Sequence, residues 1–144
     1  MDEILLEDRS GISGRFVVVI EEGGHSVWVY LTERASSRPV RDVPLASRVD
    51  PLPLHRTHEY TASGGPPPVG EGFLAPGWKR VGPLGTFMAR WSADGESVCI
   101  LIDGVPSAIL SASTGHGASR ALLKDGPWGR RWDDREYERL FGRD

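Results

Sequence analysis

The sequence of 144 residues predicts a mainly β domain (α+β), with two β-meanders of about three strands each and one short C-terminal helix. We expect the meanders to pack as a sandwich or a partly closed barrel. Three observations predict this class. Segment 14–31 resembles segment 85–102, as an internal repeat would. The 18 glycines and 11 prolines indicate many turns, and one amphipathic stretch with helix-capping residues ends the chain.

The internal repeat relates its two segments by a shift of 71 residues. The alignment superposes two apolar runs and the following identical pairs: Gly14/Gly85, Phe16/Phe87, Gly24/Gly95, Ser26/Ser97 and Val27/Val98. An isolated hairpin cannot bury its apolar face in water, so we expect the two units to pack on each other. The chain then forms a single domain, 1–144, with repeat units at about 14–45 and 85–113.

The first unit reads as a short meander. Residues 15–21 are β-branched and apolar, which is typical of a central strand. Gly23-Gly24 suits a tight turn, and Ser26–Thr32 returns beside the first strand. A third strand at Arg41–Leu45 is flanked by prolines, which favours the edge of a sheet. A further short strand is predicted at Glu3–Glu7.

A Gly/Pro-rich connector, 62–77, separates this unit from the second. Its composition predicts a flexible loop, and its length favours mobility or a role in binding. The second unit then places strands at 86–92, 98–102 and 106–112, joined by two Asp-Gly turns. The last strand begins with a proline, so we expect it to lie at the edge of its sheet.

The C-terminal helix is predicted at about 133–141. Asp133 is a suitable N-cap, Glu136 completes a capping-box pattern, and Gly142 is a suitable stop. The helix is too short to persist alone, so its apolar stripe must dock on a sheet. That stripe consists of Tyr137, Leu140 and Phe141.

Composition bounds the classes of partner. The net charge of −3 disfavours a general polyanion binder, although acidity concentrates in residues 1–33, with seven acidic and two basic side chains. Cys99 is the single cysteine, which excludes an intrachain disulfide, and its apolar strand predicts burial. The start of the chain lacks the pattern of a secretion signal, and no apolar run reaches the ~20 residues of a membrane span. We therefore expect a bacterial cytoplasmic protein.

Candidate catalytic and metal-binding residues are few. His55 and His58 are spaced H-x-x-H, but an extended segment would point them to opposite faces, so no metal or other cofactor is predicted. The connector lacks a phosphate-binding glycine pattern. A Ser–His pairing, such as Ser119 with His116, leaves nucleophilic catalysis open, because such groups come together in space and not in sequence.

The strongest interaction candidates are Trp128, Arg130, Arg131 and Trp132, because tryptophan and arginine are enriched at protein–protein hot spots. Such a mixture also occurs in nucleic-acid sites, but nearby aspartates dilute the positive charge. The competing interpretation is structural: both indoles pack the last helix onto the sheet.

Two resemblances bear on these expectations. Trp91–Val98 is similar to the W-S-x-D-G turn of β-propeller blades, although two units cannot close a propeller. The layout resembles a small bacterial domain family of unknown function in its first hairpin (Phe16–Leu31), its second hairpin (Trp91–Ile102), the turn Asp103–Pro106 and a Trp-bearing end. The connector at 62–77 departs from that pattern. The family has no assigned activity, so the resemblance implies no catalytic residue.

These observations favour a non-catalytic protein-interaction module, such as an immunity or accessory protein that masks a partner. The alternative is a small-ligand-binding β domain with a cavity between the meanders and the 62–77 loop as its lid. A hydrolase ranks third. A homo-oligomer that assembles through an edge strand is also open.

Overall fold

The computed structural model describes residues 3–51, 53 and 69–142, and it has the predicted class: two sheets and one short C-terminal helix. The first sheet is an antiparallel meander in chain order, formed by β1 (Glu3–Arg9), β2 (Phe16–Glu22), β3 (Ser26–Glu33) and β4 (Arg38–Ser47). The second sheet follows the same simple order, with β5 (Phe87–Trp91), β6 (Ser97–Ile102), β7 (Val105–Ser111), β8 (Ala118–Ser119) and β9 (Arg130–Arg131). The helix is α1 (Asp134–Phe141).

Both segments of the proposed repeat form antiparallel hairpins, β2–β3 and β5–β6, whose strands begin at aligned residues. Their pairing registers differ by two residues. Glu22 pairs with Val27 in the first hairpin, whereas Trp91 pairs with Val98 in the second, so the second turn is longer. The shared origin of the two segments remains a hypothesis.

Two predicted strands are longer in the structure. The segment predicted at Glu3–Glu7 extends to Arg9 as β1, which pairs along β2 and makes β2 a central strand. The strand predicted at Arg41–Leu45 is the ten-residue β4. It lies at the end of the strand order, as its prolines indicated.

The predicted edge at 106–112 is wrong, because β8 pairs with β7 at Ala108 and Ile109. Pro106 is tolerated because it lies near the start of β7, opposite Leu101, where the register with β6 shifts. The backbone N–H that Pro106 lacks therefore precedes Ala108 and Ile109, the residues of β7 that pair with β8.

The core lies between the sheets. Alternate side chains of each inner strand are fully buried against the other sheet, as the period of two requires. They include Val18, Ile20, Val29, Leu31, Val43 and Leu45 from the first sheet and Val98, Ile100, Ala108 and Leu110 from the second. Burial of each larger aliphatic side chain contributes about 1.5–3 kcal/mol.

Along one long side of the sandwich, hydrogen bonds join β4 to the segment that follows β7. Arg41 Nε donates to the carbonyl of Thr114 at 2.7 Å, and its Nη2 donates to that of Ala112 at 3.2 Å. On the opposite side, Trp91 Nε1 donates to Asp8 Oδ2 at 2.8 Å, which ties β5 to β1. The sheets are thus joined by hydrogen bonds on both sides.

The Gly/Pro-rich connector was predicted at 62–77, of which 62–68 lie outside the described residues. The remainder, 69–77, contains no named strand or helix, in agreement with the predicted loop, and it is packed against the protein. Val69 is fully buried in the core, and the backbone N–H of Leu123 donates to the carbonyl of Phe73 at 2.7 Å. Ala75 N–H donates to the carbonyl of Ala121 at 2.8 Å. Apolar anchors and backbone hydrogen bonds thus hold this part of the loop in place.

The turn after β1 lies against the β5–β6 turn. Ser13 Oγ donates to the carbonyl of Gly95 at 3.3 Å. Gly95 has a positive φ of 74°. A Cβ on Gly95 would lie 2.6 Å from Ser10 Oγ and 2.9 Å from the backbone nitrogen of Ser13. This glycine therefore serves both the tight turn and the close approach of the two sheets.

We expect Gly95→Ala to lower the free energy of unfolding by about 2–5 kcal/mol, because it combines left-handed strain with a steric clash. The matched control is Gly104→Ala. Gly104 has a similar φ of 81° but nothing within 4 Å of the added methyl group. It should cost only the strain, about 1 kcal/mol. Urea unfolding of both variants measures the difference, and equal losses would contradict the docking of the two turns.

Candidate protein-interaction surface

The helix α1 covers the outer face of the second sheet. Its predicted stripe of Tyr137, Leu140 and Phe141 packs with Trp132 onto Cys99, Leu101 and Ile109. The second sheet is therefore covered on both faces, by the first sheet on one side and by α1 on the other. This docking confirms the predicted role of the stripe and fixes the position of the residues just before the helix.

An arginine on the edge strand holds the end of this helix. Arg90 Nη1 donates to Tyr137 Oη at 2.8 Å, and its Nη2 donates to the carbonyl of Phe141 at 2.7 Å. The second bond satisfies one of the carbonyls that the last turn of a helix leaves without a partner. A cation at this end also interacts favourably with the helix dipole.

The start of the helix is fixed differently from the prediction. Asp133 is the N-cap, as expected, and its Oδ1 accepts from the backbone N–H of Arg135 at 2.9 Å. Glu136 was predicted to complete a capping box, but its Oε1 accepts from Arg130 Nη2 at 3.0 Å instead. The Glu136 side chain is only 8 % exposed. A buried carboxylate gains more from a guanidinium than from a backbone N–H.

The two tryptophans of the predicted partner site are separated in the structure. Trp128 is half-buried against the main core, where its ring meets Phe73 edge-on at a centroid distance of 4.8 Å. Trp128 therefore has a packing role. Its indole anchors residues 69–77, not α1.

Trp132 lies at the surface and is only partly covered. The guanidinium carbon of Arg120 lies 4.4 Å from the Trp132 ring centroid, and the Tyr137 ring lies 5.7 Å away on the helix. Trp132 Nε1 donates to Asp134 Oδ1 at 2.7 Å. These three contacts hold the indole in one orientation.

The two predicted arginines also differ. Arg130, in β9, uses its guanidinium internally: Nε donates to the carbonyl of His116 at 2.8 Å, and Nη2 binds Glu136. Arg131 follows it with the side chain exposed, while its backbone N–H donates to Asp125 Oδ1 at 3.0 Å. Of the four predicted residues, Arg130, Arg131 and Trp132 line one surface groove, and the guanidinium of Arg130 is already used internally.

Sequence reasoning missed Arg135, which lines the same groove from the first turn of α1. Its signal is positional, since it follows the N-cap by two residues and cannot join the buried stripe. We call Arg131, Trp132 and Arg135 the C-terminal surface.

The electrostatics of the C-terminal surface follow from how its carboxylates are used. The aspartates of the groove each accept an intramolecular bond: Asp125 from Arg131 N–H, Asp133 from Arg135 N–H and Asp134 from the indole. Within the described part of the chain, the guanidiniums of Arg131 and Arg135 form no hydrogen bond or ion pair. The groove therefore contains an oriented indole and two guanidiniums that are available for a partner.

The candidate Ser–His pair is not assembled. Ser119 is fully buried in β8, where its Oγ accepts from the backbone N–H of Ala121 at 3.0 Å, whereas His116 is exposed. His116 lines a shallow groove with Asp42. Partial burial raises the pKa of the Asp42 carboxyl, and the charge of His116 acts in the opposite direction.

The remaining candidate groups are Cys99 and the pair His55 and His58. Burial raises the pKa of the Cys99 thiol to about 12, so the thiolate that reacts is suppressed. His55 and His58 lie outside the described residues. Among residues 3–51, 53 and 69–142, His, Cys, Asp and Glu form no cluster of three that would hold a metal, and no helix is long and apolar enough to cross a bilayer.

Comparisons of the chain with protein-family models, with curated proteins and with solved structures found no match. The resemblance to a small bacterial family therefore stays a hypothesis. Any function must be inferred from the geometry of this chain.

The position of Cys99 beneath α1 makes its thiol a reporter of helix docking. We expect the native thiol to react slowly with Ellman's reagent at pH 8, because the reactive thiolate is suppressed and covered. Phe141→Ala removes part of that cover and should speed labelling at least about tenfold, the effect of about 1.4 kcal/mol of weakened docking.

The control for this measurement is Leu123→Ala. The Leu123 side chain is 54 % exposed and lies outside the helix layer, so labelling should match the parent protein. Far-UV circular dichroism before labelling shows whether each variant is folded. Fast labelling of the folded parent protein, or no acceleration by Phe141→Ala, would contradict the described docking.

Proposed function

We propose that this chain is a non-catalytic protein-interaction module that binds its partner through the C-terminal surface. The observation that carries the proposal is the oriented, partly exposed indole of Trp132, which shares one groove with two guanidiniums that have no partner among the described residues. Trp128 and Arg130, which the sequence placed in the contact itself, act in this proposal as supports that position it.

The rigidity of this surface supports a role in binding. Trp132 is fixed by Arg120, Tyr137 and Asp134, so little side-chain entropy remains to be lost when a partner covers it. Large aromatic and arginine side chains with low mobility are the residues that dominate binding energies at protein interfaces.

The formal charges of the groove balance, with three arginines and three aspartates, so its available donors and not a net charge indicate the chemistry of the partner. The guanidiniums of Arg131 and Arg135 fit carboxylates, which arginine binds in a bidentate geometry, and the indole fits an apolar group between them. We therefore propose an acidic protein segment as the partner. An immunity or accessory protein of the bacterial cytoplasm, which masks such a segment, remains our proposed context.

The competing functions gain no comparable support. Side chains fill the space between the described strands of the two sheets, where the ligand alternative needs a cavity. Of the 62–77 loop that it also needs as a lid, only 69–77 are described, and Val69 in this part is fully buried. The hydrolase alternative needs a histidine beside a nucleophile, and Ser119 is buried away from exposed His116.

The test is a titration of the ¹⁵N-labelled protein with a hexaglutamate peptide, followed by NMR. The indole N–H of Trp132 and the backbone N–H of Arg131 and Arg135 should shift on binding. The double variant Arg131→Glu/Arg135→Glu should lose at least about tenfold in affinity, since each charge-assisted contact is worth about 1.5–3 kcal/mol.

The matched control is Arg38→Glu/Arg9→Glu, which reverses two exposed arginines of the first sheet. This variant changes net charge equally and should bind as the parent protein does. If both double variants lost affinity for the peptide equally, the loss would reflect the net charge of the protein alone. This result would overturn the assignment of the C-terminal surface. Binding without a shift of the Trp132 indole would do the same.

A further inference from the structure

Among the described residues, β5 is the outer strand of the second sheet, and its side away from β6 has a defined hydrogen-bonding pattern. Ser92 N–H donates to the carbonyl of Ser97, and Asp103 N–H donates to that of Thr86, so the even-numbered residues of this strand face β6. The register with β6 carries the same alternation. The backbone N–H and C=O groups of Phe87, Ala89 and Trp91 therefore point away from the sheet.

The other edges of the two sheets carry features that prevent strand addition. Four of the seven residues of β1 are charged, and its pairing with β2 is interrupted by a register shift after Ile4. Pro39 and Pro44 remove donors from β4, and its register shifts twice. At the far edge of the second sheet, β9 is only two residues long. Bulges, prolines, charges and short strands are the means by which proteins protect exposed edges.

In β5 as described, these protections are limited to one charge, that of Arg90, whose guanidinium binds α1. The strand pairs with β6 without a register shift, and Phe87, Met88 and Ala89 carry no charge. Met88 projects on the outer face, opposite to the core, and is 62 % exposed. A weakly protected edge with an exposed apolar side chain is suited to pairing with another strand.

The geometry points to a second copy of this chain as the occupant of the edge. The outward-facing residues are spaced symmetrically about Ala89, so antiparallel pairing about a twofold axis matches each outward N–H with an outward C=O of the partner. Phe87 then lies opposite the partner's Trp91, and Met88 opposite the partner's Arg90. We infer that the protein forms a twofold dimer through β5, with one second sheet continuous across both copies.

The arrangement is self-limiting. An antiparallel β5 pair uses the same strand of both copies, so the interface closes after one contact. Continuation of the joined sheet would need the opposite edge, where the two-residue β9 offers little to pair with. This explains how a weakly protected edge is compatible with a discrete assembly and not a filament.

The proposed register makes a charge-specific prediction at Met88. In such a pair, side chains at directly opposed positions without backbone hydrogen bonds lie closest together. Met88→Lys places a cation opposite the partner's Arg90 and should dissociate the dimer. Met88→Glu places an anion there and should retain it. A third variant, Ala89→Pro, removes a donor that faces away from β6 and should give a folded monomer.

Sedimentation velocity at about 20–200 µM measures the mass of each variant, with 15.8 kDa as the monomer. We expect a dimer for the parent protein and Met88→Glu, and monomers of unchanged circular dichroism for Met88→Lys and Ala89→Pro. A parent protein that is monomeric throughout this range overturns the inference. So does a dimer that survives both disruptive variants, or one that Met88→Glu and Met88→Lys weaken equally.

Discussion

The second sheet is apolar on both faces, and the rest of the structure depends on covering both. The strands β6 and β7 supply Val98, Ile100 and Leu110 to the inner face, and Cys99 and Ile109 to the outer face. The first sheet covers one face and α1 the other. Each buried aliphatic side chain contributes about 1.5–3 kcal/mol to stability. Loss of either cover would expose these side chains to water and remove a large part of the free energy that stabilises the fold. An eight-residue helix is unstable alone, so the dependence is mutual.

Buried arginines fix the positions of these layers where apolar contacts alone would let them slide. Arg90 binds the side chain of Tyr137 and the last carbonyl of α1. At the end of the first sheet, Arg48 binds Glu22 through Nε at 2.8 Å and also donates to the carbonyl of Arg80 at 2.8 Å. Its side chain is only 14 % exposed. Each such cation is tolerated because several acceptors surround it, and these acceptors set direction as well as energy.

The parts of the fold that local pattern determines were predictable. The hairpins follow from alternation and glycine turns, and the helix follows from its cap at Asp133 and its stripe. The strands β8 and β9 have two residues each and no pattern of their own, because they exist only where the tertiary fold brings backbones together. The proline rule misassigned the edge at Pro106, because the register with β6 shifts opposite this residue and β8 pairs with β7 only beyond it.

The candidate site was half predictable for the same reason. Trp128 and Trp132 are the same residue type four positions apart, and composition cannot separate the packed indole from the exposed one. The separation arises at Gly129, whose φ is 146° and where a Cβ would lie 2.8 Å from both the carbonyl of Gly117 and Val43 Cγ2. At Gly129 the chain passes between Gly117 and Val43, from the packed Trp128 to the partly exposed Trp132. Only the tertiary contact shows that Gly129 marks the boundary.

The two proposed interfaces lie at opposite ends of the second sheet, since β5 is first and β9 last in the strand order. Pairing through β5 would therefore leave the C-terminal surface of each copy uncovered. A dimer would present two such surfaces on one rigid sheet, and a partner with two acidic segments would bind the second with the advantage of effective concentration. Shallow contacts centred on one indole and two guanidiniums would then suffice for stable binding. The strand order thus links the oligomeric state to affinity without any contact between the two sites.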